Sequence, residues 1–197
     1  MTIAQQVKPS DDYLQALELS KEQHRESKTY SGKFIRPYRG DIKDIIDRLG
    51  CRSMIDYGCG KGLQYDWVSP EGQTLEQYWG MDVVKYDPAH PKYEMEPQEP
   101  ADIVICSHVL TIIPTLDIEW VVDKIFGLAN KAVFIVNSVC SPPQKASKQR
   151  WRLKNTGENW TADQWINLLQ RRKRKDIEVH LVIKARDPAL KTGTFIL

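Results

Sequence analysis

The fold is decided by the stretch Ile55-Asp56-Tyr57-Gly58-Cys59-Gly60-Lys61-Gly62. Its first three residues end a predicted strand over residues 52–57, and a helix is expected to follow the glycines through about Val68. Small residues after a buried strand let the chain turn sharply and let its backbone approach a ligand closely. The pattern therefore indicates a strand and a helix joined by a ligand-binding loop.

Strand and helix patterns alternate along the rest of the chain. Apolar segments predict further strands at residues 82–86, 102–107 and 131–136. The segment 102–107 is apolar on both faces, as expected of a strand inside a parallel sheet. Capping residues and helical spacing of apolar residues predict helices that begin near Ser10, Asp41, Thr115 and Thr161.

The C-terminal part predicts an antiparallel end to the sheet. Apolar residues occupy every second position from Ile177 to Ile183, which predicts a strand with one exposed face. Residues 194–197 are expected to pair with it as a hairpin. The predicted fold class is therefore α/β: a three-layer, Rossmann-like fold with a mostly parallel sheet, a C-terminal antiparallel hairpin strand and N-terminal helices.

The length of 197 residues predicts a single domain over residues 1–197. Residues 1–10 are expected to form a loose tail. The polar and basic segment 138–160 is expected to act as a lid that selects the substrate.

Several classes of protein are excluded by composition. No apolar run approaches the roughly 18 residues of a membrane helix, and no secretory signal pattern opens the chain, so a cytoplasmic protein without membrane contact is expected. The cysteines contain no C-x-x-C pair, which indicates neither a disulfide framework nor a metal site. They are Cys51, Cys59, Cys106 and Cys140.

Positive charge is concentrated in one part of the chain. Between Ser141 and Lys175 ten basic residues stand against two acidic ones, whereas the whole chain has a net charge of +2. Such a surplus can attract an anionic partner. It predicts a substrate that is anionic or contains a nucleotide, and leaves binding of nucleic acid open.

Two acidic residues discriminate between nucleotide ligands. Asp87 ends the second predicted strand, near the position where a carboxylate binds a ribose diol in dinucleotide folds. Asp56 precedes the glycines and would repel a pyrophosphate. S-adenosylmethionine carries a sulfonium and an ammonium group, so Asp56 favours that ligand over NAD. A P-loop is excluded because no G-K-[ST] follows the glycines.

The chain resembles the class I S-adenosylmethionine-dependent methyltransferases over residues 41–136. More narrowly, it is similar to small methyltransferase-like proteins of bacterial and phage genomes, which read D-Y-G-C-G-K-G, then Y-D-P, then an aspartate-led strand. Residues 56–62, 86–88 and 102–106 match these motifs. The resemblance implies a methyltransferase fold and S-adenosylmethionine as the cofactor.

The resemblance also implies the cofactor site. Asp56, Gly58 and Gly60 would hold the methionine part of the cofactor, and Asp87 would hold the ribose. The same site is expected to include Tyr57, Cys59, Pro88, Ser107 and His108.

The segment after the third predicted strand departs from the narrow pattern, because residues 107–112 contain no acid. His108 follows the carboxyl end of this strand, where open α/β sheets bind ligands. A histidine there can accept a proton from a hydroxyl or amine nucleophile, so His108 is the candidate catalytic residue. The alternative is a histidine that packs beside the cofactor without a chemical role. His24, His90 and His180 are expected at the surface.

The sequence therefore predicts transfer of a methyl group from S-adenosylmethionine to an unidentified acceptor by direct displacement. Two other classes stay open. One is a non-catalytic module that binds S-adenosylmethionine or S-adenosylhomocysteine, and the absence of acids after the third strand motivates it. The other is a Rossmann-like enzyme that uses another nucleotide, such as an NAD-linked reductase.

Overall fold

Across the residues that the structure describes, six strands form one sheet. The structure is a computed structural model, and it describes residues 8–25, 30–139, 156–157, 160–185 and 190–197. The strands are β1 (Met54–Tyr57), β2 (Val83–Tyr86), β3 (Ala101–Ser107), β4 (Ala129–Val139), β5 (Glu178–Ala185) and β6 (Gly193–Ile196). Their order is β2-β1-β3-β4-β5-β6. The first five are parallel, and β6 pairs antiparallel with β5.

Helices cover both faces of this sheet. They are α1 (Asp11–His24), α2 (Arg39–Leu49), α3 (Leu75–Trp79), α4 (Ile118–Gly127) and α5 (Ala162–Arg172). The Ser10 side chain caps α1 by accepting from the Tyr13 amide. Gly50 ends α2 in the left-handed conformation, which favours glycine. Local sequence signals therefore mark the start of α1 and the end of α2.

The fold class predicted from the sequence is confirmed. The sheet is mostly parallel, N-terminal helices precede it, and the expected hairpin places Ile196 opposite His180. Residues 87–100 contain neither a helix nor a strand, so the connection between β2 and β3 is short. The helix expected to begin at Thr115 begins instead at Ile118, after a 3-10 turn at Thr115–Asp117.

Two apolar clusters hold the layers together. On one face, Val104 and Val133 pack with Trp165 of α5, whose side chain is fully buried. On the other face, Ile42 of α2 packs against Phe134 of β4. Because the central strands are apolar on both sides, burial of both faces stabilises the three layers.

The helix predicted directly after the glycine loop is wrong. This part of the chain makes successive turns instead, with the Gly62 amide donating to the Cys59 carbonyl and the Tyr65 amide to the Gly62 carbonyl. Gly60 and Gly62 have φ of +60° and +64°, which departs from a right-handed helical path. The next helix is α3, which begins with a capping box from Thr74.

The exposed face predicted for β5 is wrong in the middle of the strand, although Lys184 near its end is exposed. Val182 is buried among residues of the α2 side of the sheet, and His180 is only 7% exposed. The His180 ring is stacked on Phe134, and its Nε2 contacts the Glu178 carboxylate, so the expectation of a surface histidine fails. Alternation within one strand does not show what packs against its polar side.

Candidate functional site

A cavity of about 400 Å³ lies at the carboxyl ends of the parallel strands. Parallel α/β sheets bind ligands at this edge, and the volume falls within the range of small-molecule sites. Of the nine residues predicted for the site, seven line the cavity: Tyr57, Gly58, Gly60, Asp87, Pro88, Ser107 and His108. Asp56 and Cys59 do not line it.

The glycine loop is attached to the end of β2. The amides of Gly58 and Cys59 both donate to the Tyr86 carbonyl, at 2.7 and 3.0 Å. Gly58 has φ of +83°, and a Cβ at this position would lie 2.1 Å from Cγ2 of Val109. Gly58 is therefore required both by its backbone conformation and by the close approach of Val109.

Residues 30–32 pack against the same loop. The Lys61 amide donates to the Tyr30 carbonyl at 2.8 Å, and a Cβ on Gly60 would lie 2.5 Å from that carbonyl oxygen. A Cβ on Gly32 would lie 2.0 Å from the Cys59 carbonyl oxygen. Gly60 and Gly32 therefore allow two chain segments to approach each other, which sequence patterns did not indicate.

Asp87 joins the loop to the cavity. Its Oδ2 accepts from the Gly60 amide at 2.9 Å, and its Oδ1 accepts from the Ala89 amide at 2.9 Å. The Nε2 of His24 lies 3.6 Å from Oδ1. A largely buried carboxylate is thus held in one orientation at the wall of the cavity.

Asp56 occupies a different environment from the one that the sequence predicts. Its side chain is 2% exposed, and its Oδ2 accepts from Gln64 Nε2 at 2.8 Å and from the Tyr65 hydroxyl at 2.7 Å. Successive residues of a strand point to opposite faces, so Asp56 points away from the cavity that Tyr57 lines. Burial raises the pKa of Asp56 to about 7.

Asp56 therefore holds the residues that follow the glycine loop, and direct contact with a ligand in the cavity does not fit this geometry. Cys59 is likewise buried, and its Sγ lies 3.5 Å from the Gly60 carbonyl oxygen that accepts from it.

His108 is held by its backbone and by its ring. It has φ of +59°, which is uncommon outside glycine, and its amide donates to the Val136 carbonyl at 2.7 Å. The ring Nδ1 lies 3.1 Å from Ser138 Oγ, and the Phe34 ring packs edge-on against it. Burial, and then the charge of Lys184, lower the pKa of His108. Both effects favour the neutral ring, and the side chain is fixed at the cavity wall.

Helix α1 forms a wall of the cavity that the sequence analysis missed. The residues that it contributes are Tyr13, Ala16, Leu17, Ser20 and His24. Their spacing places them on one face of a helix, which is a signal that the sequence contains. What this face packs against was not predictable from that spacing.

His24 is a buried residue of the site, and its expected position at the surface is wrong. It is 8% exposed and its ring is stacked on that of Tyr30, with centroids 4.8 Å apart. Burial lowers the pKa of His24, which favours the neutral ring.

The start of α1 is attached to the start of α4. The Ser10 amide donates to Asp117 Oδ1 at 2.8 Å, and the Ser10 hydroxyl donates to Asp117 Oδ2 at 2.6 Å. The rings of Tyr13 and Trp120 meet edge to face beside this contact. Polar contacts at both of its ends therefore hold α1 over the cavity.

Most of the proposed lid, residues 138–160, lies outside the described residues, as does Cys140. Ser138 lines the cavity as part of β4. The described end of the basic segment is ion-paired: Arg171 contacts Glu119 at 2.6 Å, and Arg172 Nε donates to Asp123 Oδ1 at 2.8 Å. These two arginines therefore join α5 to α4.

Within the described ranges, no group of three or more histidine, cysteine or acidic side chains is arranged to hold a metal ion. None of the helices in those ranges is long and apolar enough to cross a membrane.

Comparison with known proteins identifies the class of this chain. The sequence model of a methyltransferase domain family matches residues 14–176, which is most of the chain. The chain therefore belongs to this methyltransferase domain family, and its sheet is consistent with the Rossmann-like methyltransferase fold. No curated protein and no solved structure matches the chain. Family membership supports a methyltransferase activity.

Proposed function

We propose that the protein transfers a methyl group from S-adenosylmethionine to a nucleophilic acceptor. One observation carries this proposal: the glycine loop and the Asp87 carboxylate meet in a cavity of about 400 Å³ at the carboxyl edge of the sheet. Family membership supports the same reaction.

The chemistry of the cavity wall fits this cofactor. The cofactor is a cation at its sulfonium and ammonium groups, and the buried Asp87 carboxylate favours positive charge nearby. Asp87 can also accept from ribose hydroxyls, because each carboxylate oxygen has more than one acceptor site. The hydroxyl of Ser107 has no hydrogen-bond partner among the described residues, so a polar ligand group could satisfy it.

S-adenosylmethionine, held by the glycine loop and Asp87, would supply a methyl group on a positively charged sulfur; the acceptor would displace it, with the electron pair of the broken C–S bond staying on sulfur. His108 accepts the proton that a hydroxyl or amine acceptor loses. This role requires the tautomer in which Nδ1–H donates to Ser138 Oγ and Nε2 carries the lone pair. The neutral state that burial favours is the state that can act as a base.

The ribose role of Asp87 is tested by calorimetric binding of S-adenosylmethionine and S-adenosylhomocysteine. Wild type should bind both saturably, and Asp87→Ala should weaken binding about 10- to 100-fold, the usual range for a lost hydrogen bond to a charged group. Asp47→Ala removes an exposed carboxylate paired with Lys43 and serves as the control. Absence of binding to wild type would overturn the proposal.

Turnover separates an enzyme from a binding module. Wild type should transfer a labelled methyl group to a component of an acceptor mixture, and His108→Ala should slow this transfer about 100-fold or more while cofactor binding persists. Binding without transfer to any acceptor would instead favour the non-catalytic module.

A further inference from the structure

Three polar side chains stand in a row at the carboxyl ends of β3, β4 and β5. His108 follows β3, and its Nδ1 lies 3.1 Å from Ser138 Oγ on β4. Ser138 pairs in register with Lys184 on β5, so both side chains point to the same face of the sheet. Adjacent strands lie about 4.8 Å apart, which places the Lys184 side chain beside Ser138 and close to His108.

Lys184 differs from the other lysines of the sheet. Lys85 and Lys131 are ion-paired, at 2.7 and 3.2 Å from the carboxylates of Glu76 and Asp102. Among the described residues, no carboxylate lies within 4.0 Å of the Lys184 amine. The amine lies 5.0 Å from the centre of the Tyr38 ring instead. Lys184 is therefore a solvent-exposed cation whose charge no neighbouring acid neutralises in this part of the structure.

Lys184 lies next to the cavity without lining it. Its partner in register, Ser138, lines the cavity and contacts His108, and the charge of Lys184 contributes to the lowered pKa of His108. Phe34 packs edge-on against His108, lines the cavity and is 58% exposed. A positive charge and an exposed aromatic ring therefore both lie near His108.

We propose that Lys184 binds an anionic group, a carboxylate or a phosphate, of the methyl acceptor, and so directs the acceptor's nucleophile towards His108 and Ser138. An aromatic or other apolar body of the acceptor would pack on Phe34. The inference rests on the proposed methyl transfer, because it names the class of acceptor for that reaction. Lys184 acts here as a specificity residue and takes no part in bond making.

The test uses three small probes and the full chain without cofactor: benzoate, phenyl phosphate and the neutral analogue benzamide. The ring signals of His108 are followed by NMR through a pH titration. The anionic probes should shift these signals saturably and raise the pKa of His108, because a bound negative charge stabilises the imidazolium. Benzamide should do neither at the same concentration. Tighter binding of benzoate would indicate an acceptor with a carboxylate, and tighter binding of phenyl phosphate an acceptor with a phosphate.

Variants assign the effect to one lysine. Lys184→Gln should weaken binding of the anionic probes about two- to fivefold, the range for an exposed ion pair, whereas Lys184→Arg should retain it. Lys191→Gln is the control at a second exposed lysine whose amine lies over an aromatic ring, 5.4 Å from the centre of the Phe195 ring on β6; unlike Lys184, this amine is paired with a carboxylate, that of Asp163 at 2.7 Å. This variant should bind the probes as wild type does. Thermal unfolding verifies that each variant is folded.

Several results would overturn the inference: no shift of His108 with either anion, equal shifts with benzamide, or equal weakening in both glutamine variants. Calorimetry with S-adenosylmethionine tests the proposed methyl transfer separately. Lys184→Gln should bind this cofactor as wild type does. Probe binding that persists while wild type binds no cofactor would refute the assignment of this group to a methyl acceptor.

Discussion

Asp87 and Asp56 stand at the carboxyl ends of neighbouring parallel strands, yet their surroundings differ. Asp87 lines the cavity, and its oxygens accept from backbone amides of the glycine loop and of the turn after β2. Asp56 lies on the opposite face and accepts from the side chains of Gln64 and Tyr65. Two carboxylates that the sequence places beside the same loop therefore have different roles.

The difference follows from strand geometry. Asp87 lies just beyond β2, where the chain leaves the sheet and its side chain can reach the loop amides. Asp56 lies inside β1, where alternation assigns it to the face without the cavity. In the β1–β2 register Asp56 pairs with Lys85, so Asp87 lies two positions further along, past the end of its strand. Departure of the chain from the sheet after β2 therefore separates the acid that lines the cavity from the acid that supports the loop.

The largest expected effect comes from a substitution in the glycine loop, beside which both acids lie. Gly58→Ala should lower the free energy of unfolding by about 2–4 kcal/mol, because left-handed strain adds to the clash with Val109. Gly72→Ala is the control: φ is +82°, and no atom lies within 4 Å of an added Cβ. It should lose about 1–2 kcal/mol from strain alone. Urea unfolding measures both, and equal losses would contradict the role of Val109.

The pH dependence of the free energy of unfolding distinguishes the two acids in a second prediction. The pKa of Asp56 is about 7 in the folded chain, against about 3.9 in an unfolded one. Its contribution to stability is therefore fully present below about pH 4 and is lost as the pH rises through about 7. Asp56→Asn should remove this dependence, which has a slope of at most ~1.4 kcal/mol per pH unit.

Urea unfolding of wild type and Asp56→Asn between about pH 4 and 8 provides this measurement. Cofactor affinity is the accompanying readout, because Asp56→Asn should leave it unchanged while Asp87→Asn should weaken it. A loss of affinity in Asp56→Asn equal to that in Asp87→Asn would remove the distinction between the two acids.

The smallest expected effect concerns α1, the helix whose His24 lies beside Asp87. Ser10→Ala removes the cap of α1 and one bond to Asp117, at a cost of about 0.5–2 kcal/mol. Amide hydrogen exchange in α1 should become faster, and so should release of bound S-adenosylmethionine. Thr74→Ala removes a comparable cap from α3, whose residues do not line the cavity, and should leave release unchanged. Equal release rates in all three proteins would show that α1 does not restrain the ligand.

The sequence predicted most of the elements because their signals are local. The apolar segment at β3 and the capping residue of α5 lie within the elements that they define. Prediction failed after Gly62, where a helix was expected, because contacts with Tyr30 and the positive φ angles of the glycines decide the path of the chain. It also failed at His180, because Phe134, on which the His180 ring stacks, is distant in sequence.

The order of strands and helices, the position of the glycine loop and the presence of an acid after β2 were determined by the sequence itself, because periodicity and turn chemistry act over a few residues. Tertiary packing alone brings α1 to the cavity wall, His24 to Asp87 and Lys184 beside Ser138. These contacts join residues far apart in the chain, and their formation depends on how the layers pack rather than on local preference.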